Sequence, residues 1–355
     1  MKKLLKIISI TLAVLAVLAG AIVVKVLPEL PALLFYKAKS VFVKPPPPEK
    51  TLSRIEAYGF APGSRLEDRI TIMPPALLEH YRSWDKAPEY ESYSPSAADK
   101  ALLLGYFKLL PPIYRNVFEA RCLGIFFMKN LKGNGITTWA VDAAQNIYFH
   151  ITLNPASLTA DLSATLSARE ASCFIPDGKS SVTVDTGKKY KGLLYGLFHE
   201  ATHAVDYVKG VTPWADDTMP LSLRPSETLA HDFFMIIWKH FSIPQPAADY
   251  LLRDKITFYG LNNGPKIPFS EAPRLYAGLN GSPFPSLYGS MSWAEDFAEL
   301  VTLSIITRDL GQPYKITLRG PGKPIVLEPL RSKSVKTSAA MVMKVLEYLQ
   351  MDEKL

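Results

Sequence analysis

The stretch LLYGLFHEATHAVDYVKG, Leu193 to Gly210, decides how the whole chain is interpreted. Its leucines and phenylalanine recur at helical spacing and lead directly into the sequence HEATH. Gly210 follows the last turn, where glycine commonly ends a helix. The pattern therefore predicts an α-helix that carries His199, Glu200 and His203.

Two histidines four residues apart lie on one face of a helix, so the neutral rings of His199 and His203 can bind one tetrahedral zinc ion. Glu200 then lies beside that ion, where it can take a proton from a zinc-bound water. Without a metal, an apolar helix would have to satisfy the ring nitrogens in another way, at a cost. The motif predicts a zinc site with Glu200 as general base, the pattern of His-Glu-x-x-His peptidases.

A third protein ligand is needed if water is to occupy the fourth position. The extended pattern with another histidine six residues after the second is absent, because that position holds Lys209. The downstream candidates are Glu227, His231, Glu295 and Glu299. The stretch WAEDFAE is favoured, because Glu295 and Glu299 are four apart on a predicted helix that begins at Ser292. One carboxylate would face the ion and the other would orient a liganding histidine from behind.

Simpler interpretations of these residues stay open on the pattern alone. Glu295 forms a Ser-x-x-Glu capping box with Ser292, which would explain it without a metal. Glu299 could lie on a solvated helix face. His231 is a reserve ligand or oxyanion donor, with a core-facing helix residue as the plainer alternative. His150 is interpreted as an ordinary strand residue, because no metal-spaced partner lies beside it.

The stretches HEATHAVDY and YGSMSWAEDFAE together resemble the gluzincin metallopeptidases, most closely the catalytic domain of anthrax lethal factor and its relatives. In those proteins Ala-Val-Asp follows the second histidine, and a Tyr-Gly pair precedes the liganding glutamate by seven residues. Here Tyr288 and Gly289 precede Glu295 in the same way. The match is local and covers only these two stretches.

The resemblance implies a complete set of site residues: the zinc ligands His199, His203 and Glu295, the general base Glu200, the oxyanion donor Tyr288 and the supporting acid Glu299. A phenol suits the task given to Tyr288, because it is neutral near pH 7 and can donate where negative charge develops. Glu295 lies 92 residues after His203, a longer interval than is usual for the family, so the substrate specificity stays open.

The N-terminus predicts a membrane segment. Three lysines precede an uncharged apolar run over 7–24, so we expect residues 1–27 to form a transmembrane anchor with the lysines inside and the remainder exported. The sequence AGA at 19–21 also permits a cleaved signal peptide, which would give a secreted protein. Residues 28–50 form a proline-rich linker. The expected location is the bacterial periplasm or cell surface.

The charge distribution excludes one class of partner, and the two cysteines leave one question about covalent structure open. The net charge is +7, but residues 1–44 hold seven lysines and one acid, so the folded part has no basic excess with which to bind nucleic acid. Cys122 and Cys173 could form a disulfide in an oxidising compartment or remain buried thiols. The expected partners are a peptide or protein substrate and the membrane, and the oligomeric state stays open.

The remaining pattern predicts an α+β protein. We expect a mainly helical part over 51–132, followed over 133–355 by a zincin-like catalytic domain with a small mixed sheet, active-site helices and a C-terminal extension. A hairpin is predicted over 135–155, and its strand 147–153 could offer an edge to an extended peptide. A helix capped by Ser226, a loop over 262–292 and a helix from Ser292 to before Gly311 follow.

The chain is therefore expected to be a membrane-tethered zinc metallopeptidase. The alternatives are a catalytically silent scaffold or binding protein with the zincin fold, and a structural domain without zinc.

Overall fold

The structure is a computed structural model that describes residues 52–61 and 63–352. The predicted membrane segment, 1–27, and the proline-rich linker, 28–50, lie outside the described residues. Within the described ranges, no helix combines the length and the apolar character needed to cross a membrane. The described residues belong to one compact unit.

Helices and short strands intermingle along the described chain, which confirms the α+β class. The α-helices are α1 (Pro75–Asp85), α2 (Ala97–Phe107), α3 (Pro112–Arg121), α4 (Leu162–Ala171), α5 (Leu193–Lys209), α6 (His231–Ile237), α7 (Ala272–Gly281), α8 (Trp293–Ser304) and α9 (Lys333–Asp352). The strands are β1 (Glu91–Tyr93), β2 (Cys122–Lys129), β3 (Gly135–Val141), β4 (Ile147–Leu153), β5 (Phe174–Ile175), β6 (Ser181–Asp185), β7 (Trp238–His240), β8 (Ile243–Pro244), β9 (Ile267–Pro268), β10 (Lys315–Arg319) and β11 (Ile325–Leu327). A π-helical turn, Ile305–Asp309, extends α8.

The main sheet has four strands in the order β1–β2–β4–β3, with β2 parallel to β4 and the other pairs antiparallel. Strand β2 lies within the region predicted to be mainly helical, so the sheet crosses the predicted boundary at 132/133. All but the last of its residues are buried. A strand covered on both faces is a continuous apolar run without alternation, and periodicity alone does not distinguish such a run from a helix.

The predicted hairpin over 135–155 is confirmed, because β3 pairs antiparallel with β4 from Gly135 opposite Leu153 to Val141 opposite Ile147. The prediction that strand 147–153 offers a free edge is wrong. Strand β4 is paired on both sides, and β3 is the edge strand on this side of the sheet. Alternating residues reveal the two faces of a strand, but they do not reveal its place in the order of the sheet.

The main sheet is covered on both faces. Helix α5 packs against β3 and β4 on one face, and α2, α3 and α8 pack against α5. The N-terminal segment, including α1, covers the other face, where Leu77 and Tyr81 pack with Phe126 and Met128 of β2. The predicted helical part therefore contributes to both sides of the sheet, with α2 and α3 on the side of α5 and α1 on the other.

Two further predictions needed correction. The helix predicted from Ser226 begins instead at His231 and has no side-chain cap. It ends before Trp238, whose backbone is extended and begins β7. The indole of Trp238 donates a hydrogen bond to Asp296 at 3.1 Å. The loop predicted over 262–292 contains α7, whose Leu275, Tyr276 and Leu279 are buried. Their helical spacing behind a proline was the available signal. The predicted helix from Ser292 is confirmed, with the π-helical turn continuing it to Asp309.

Both cysteines are free buried thiols. Cys122 begins β2 and Cys173 follows α4, and each is fully excluded from solvent. Burial raises the pKa of both thiols to about 12, so both are protonated near neutral pH. The possible disulfide is not formed.

His150 lies on β4, as predicted, and is fully buried between the rings of Tyr58 and Phe126. Neither ring nitrogen has a hydrogen-bond partner among the described residues. Burial, helped by the nearby His80, lowers the pKa of His150 to about 3. The ring is therefore neutral in the folded protein even at mildly acidic pH.

This depressed pKa predicts an acid-side loss of stability. Below the unfolded pKa of about 6.5, the unfolded chain gains a proton that the folded chain does not, so the free energy of unfolding falls as pH decreases. Replacing His150 by Phe should remove about 1.4 kcal/mol of the difference between pH 7.5 and pH 5.5, measured by urea unfolding. Equal pH dependence in the two proteins would contradict the assignment.

Candidate metal centre

Helix α5 presents its histidines at the junction with α8. Leu194 and Leu197 are fully buried and hold the helix in the core. The helix ends at Gly210, whose backbone is left-handed with φ 61° and whose N–H donates to the carbonyl of Asp206 at 2.8 Å. His199 is buried and His203 is mostly buried, with side-chain exposures of 5% and 11%.

Helix α8 brings Glu295 to the same place. The hydroxyl of Ser292 accepts a hydrogen bond from the backbone N–H of Glu295 at 3.2 Å, so Ser292 caps the helix as predicted. The Glu295 carboxylate turns toward the two histidines of α5. The cap and the candidate ligand therefore coexist, and the first does not replace the second.

Three ligand atoms converge at this junction. Nε2 of His199 lies 3.1 Å from Nε2 of His203 and 3.0 Å from Oε2 of Glu295, and the His203–Glu295 distance is 3.4 Å. One ligand atom from each residue lies within 4.8 Å of the others, so the group could hold a metal ion. Burial lowers the pKa of His199, but its bonds to Glu295 and Glu299 outweigh this and raise that pKa to about 10.

Glu299 fixes the ring of His199 from behind. Its Oε1 lies 3.2 Å from Nδ1 of His199 and accepts a hydrogen bond from the Tyr195 hydroxyl at 2.7 Å. Burial raises the pKa of Glu299, but Arg169 and the bonds from His199 and Ser286 outweigh it and lower the pKa to about 2. The ionised carboxylate can only accept, so Nδ1 of His199 carries a proton and Nε2 faces the other two ligand groups.

The side chain of Glu200 contacts the edge strand β3. The Thr137 hydroxyl of β3 lies 2.7 Å from Oε2 of Glu200 and 2.9 Å from its backbone carbonyl. A Cβ at Gly135 would lie 2.5 Å from Cγ of Glu200, so only glycine leaves room for this side chain. Burial raises the pKa of Glu200, with the charges of His199 and His203 opposing it.

Tyr288 lies beside the same cluster and is half-buried. Its ring centroid is 5.5 Å from that of His199 and 5.1 Å from that of Phe258. Burial, with the negative charge of Glu295, raises the pKa of Tyr288 well above its usual value. The phenol therefore keeps its proton near neutral pH and remains a hydrogen-bond donor.

The other candidates are not part of this group. His231 is exposed in the first turn of α6, where it lines a surface pocket with Met341 and Lys344 of α9. Glu227 is also exposed. Both the reserve-ligand and the core-facing interpretations of His231 are thus unsupported by its position.

Sequence reasoning missed Thr137, Tyr195 and Arg169, which contact Glu200 or Glu299. Tyr195 lies one turn before His199 on the same helix, so its position was available from the spacing. Thr137 and Arg169 come from other elements. Nothing in their local pattern distinguishes them from ordinary strand and helix residues.

Comparison of the chain with protein-family models, with curated proteins and with solved structures returned no match.

The three-residue group predicts a direct test of metal binding. Glu295→Ala removes one of three ligand atoms, so the affinity for Zn²⁺ should fall by more than the roughly 10- to 100-fold that follows the loss of an outer partner. His231→Ala should leave the affinity unchanged. Competition with a chromogenic chelator measures both, and equal losses in the two variants would contradict the assignment of Glu295.

Proposed function

We propose that this chain is a zinc-dependent metallopeptidase of the gluzincin type, built on a zincin-like fold. The observation that carries the proposal is the convergence of His199, His203 and Glu295, from two helices, beside a buried Glu200. The resemblance of the two motifs to gluzincins supports the same conclusion independently of the geometry.

The ligand set suits zinc. Two imidazole nitrogens and one carboxylate oxygen form a donor set used in catalytic zinc sites. Tetrahedral ligands about 2.0–2.1 Å from zinc lie roughly 3.3 Å from one another. The three separations of 3.0, 3.1 and 3.4 Å between the ligand atoms are close to this value. Three protein ligands leave the fourth position for water or substrate, as a catalytic site requires.

Each remaining residue has a task that its contacts support. Bound Zn²⁺ would supply Lewis acidity, which lowers the pKa of water and polarises the scissile carbonyl. Glu200, whose pKa is raised by burial, accepts the proton of the attacking water and later delivers it to the leaving amine. Tyr288 donates a hydrogen bond to the oxygen on which negative charge develops. Glu299 keeps Nδ1 of His199 protonated and its ring fixed.

We infer that the substrate is an extended peptide that adds to the outer edge of β3 at its Gly135–Thr137 end, because Arg54 already bridges Val141 at the other end. This strand pairs with β4 on its inner side, and its Gly135 and Thr137 contact Glu200. A peptide hydrogen-bonded along β3 would therefore have its backbone beside the general base.

We place the domain outside a membrane, tethered by residues 1–27, or released if that segment is cleaved.

Peptide cleavage tests the proposal directly. The full-length chain, purified in detergent, should bind one Zn²⁺ and cleave members of a mixed peptide library, as measured by mass spectrometry. Glu200→Gln should keep the zinc and lower kcat by roughly 10²- to 10⁴-fold, because it removes the general base. Zinc binding with no cleavage above that variant would instead favour the catalytically silent scaffold.

A second prediction concerns Thr137. Thr137→Val keeps the shape of the side chain but removes the hydroxyl bonded to Glu200. A hydrogen bond to a charged group is worth about 1.5–3 kcal/mol, so kcat should fall roughly 10- to 150-fold. Zinc affinity should not change. The matched control is Thr202→Val on α5, whose hydroxyl contacts Phe198 and Tyr114. Equal kcat values in the two variants would argue against a task for Thr137.

A further inference from the structure

Arg169 of α4 is a fully buried cation next to the candidate metal centre. Its Nη1 donates to Oε2 of Glu299 at 2.9 Å and also contacts the hydroxyl of Tyr195. Its Nε and Nη2 donate to Oε1 of Glu170 at 3.2 and 2.9 Å. The carboxylate of Glu170 in turn accepts from the hydroxyl of Tyr276. All five of these hydrogen-bonded side chains are buried.

The guanidinium of Arg169 also contacts two tyrosines, one on α5 and one just before α8. Its carbon lies 5.0 Å from the ring centroid of Tyr195 on α5 and 5.5 Å from that of Tyr288, which precedes α8. Such distances are those of cation–π contacts. Arg169 therefore contacts the helix that carries His199, the acid that orients His199 and the phenol proposed to donate to the oxyanion.

Stability alone is a poor explanation for this arrangement. Burying an arginine with two carboxylates costs desolvation free energy, and apolar replacements of buried ion networks are often neutral or stabilising. The network does, however, fix the orientation of the Glu299 carboxylate. Glu299 accepts from Tyr195 and contacts Nδ1 of His199 through Oε1, and it accepts from Arg169 and Ser286 through Oε2. A carboxylate held on both oxygens cannot rotate without breaking several bonds at once.

We infer that Arg169 is a positioning residue that holds Glu299, and through it the ring of His199, in the orientation that binds metal. The inference rests on the metal site of the proposed function. The chain of contacts runs from Arg169 to Glu299 and then to Nδ1 of His199, which leaves Nε2 aimed at Glu295 and His203. The cation also packs against the ring of Tyr288 and so fixes it on the same support.

Two tyrosines give a matched test that leaves the charges in place. Tyr195 and Tyr276 are both buried, and each donates one hydroxyl to a carboxylate of the network. Tyr195→Phe removes a bond to Glu299, whereas Tyr276→Phe removes a bond to Glu170, which does not contact His199. Zinc affinity of the full-length chain should fall roughly 10- to 100-fold in Tyr195→Phe, the usual cost of losing an outer partner, and less than about threefold in Tyr276→Phe.

Arg169 itself is tested against a second buried arginine. Arg69 donates to the backbone carbonyls of Phe118, Glu119 and Cys122 and serves the fold. Arg169→Met should weaken zinc binding and change the visible spectrum of the Co²⁺-loaded protein, which reports ligand geometry. Arg169→Lys should recover part of the affinity. Arg69→Met should lower the melting temperature but leave affinity and spectrum unchanged.

The outcomes separate this inference from the proposed function. If the wild-type chain binds no zinc, the proposed metal site and this inference both fail. If the wild type binds zinc tightly and Tyr195→Phe binds it as well as Tyr276→Phe does, the inference fails alone. A larger loss of zinc affinity in Tyr195→Phe than in Tyr276→Phe supports the inference, and this comparison can be made even if Arg169→Met does not fold.

Discussion

The contact between His199 on α5 and Glu299 on α8 is the constraint on which the rest of the site depends. It joins residues 100 positions apart, in the middle of two helices that pack together in the core. An ionised carboxylate is stable there only if its oxygens are satisfied, and a buried Arg169, Tyr195 and Ser286 satisfy them. The orientation of Nε2 of His199 toward the other two candidate ligands thus follows from the hydrogen bonds that stabilise the buried charge of Glu299.

Local periodicity was enough to predict the parts of the fold that carry their own signal. The helix over 193–209, the hairpin over 135–155 and the helix from Ser292 have regular apolar spacing, and each was predicted close to its observed bounds. Pairing order could not be predicted in the same way. Strand β2 has no alternation because both of its faces are buried, and nothing in the hairpin sequence shows that β3, and not β4, is outermost.

The same distinction applies to the residues of the candidate site. The three candidate metal ligands and Glu299 lie at helical spacings, so the pattern and a family resemblance were enough to name them as candidates. The role of Arg169 could not be predicted, because an arginine on a helix gives the same local sequence pattern whether it faces solvent or a buried carboxylate. Thr137 was out of reach because its partner lies 63 positions away and on another element. Long-range pairing of charges is a property of the folded chain and leaves no periodic trace.

The distance between the two motifs has a consequence for the order in which the protein matures. On a ribosome the chain emerges from its N-terminus, so His199 and His203 are available well before Glu295, which follows 92 residues later. The intervening chain anchors itself at the second motif, since the indole of Trp293 donates to the carbonyl of Trp214 at 2.7 Å. A nascent chain therefore holds only two of the three candidate metal ligands until Glu295 has been synthesised.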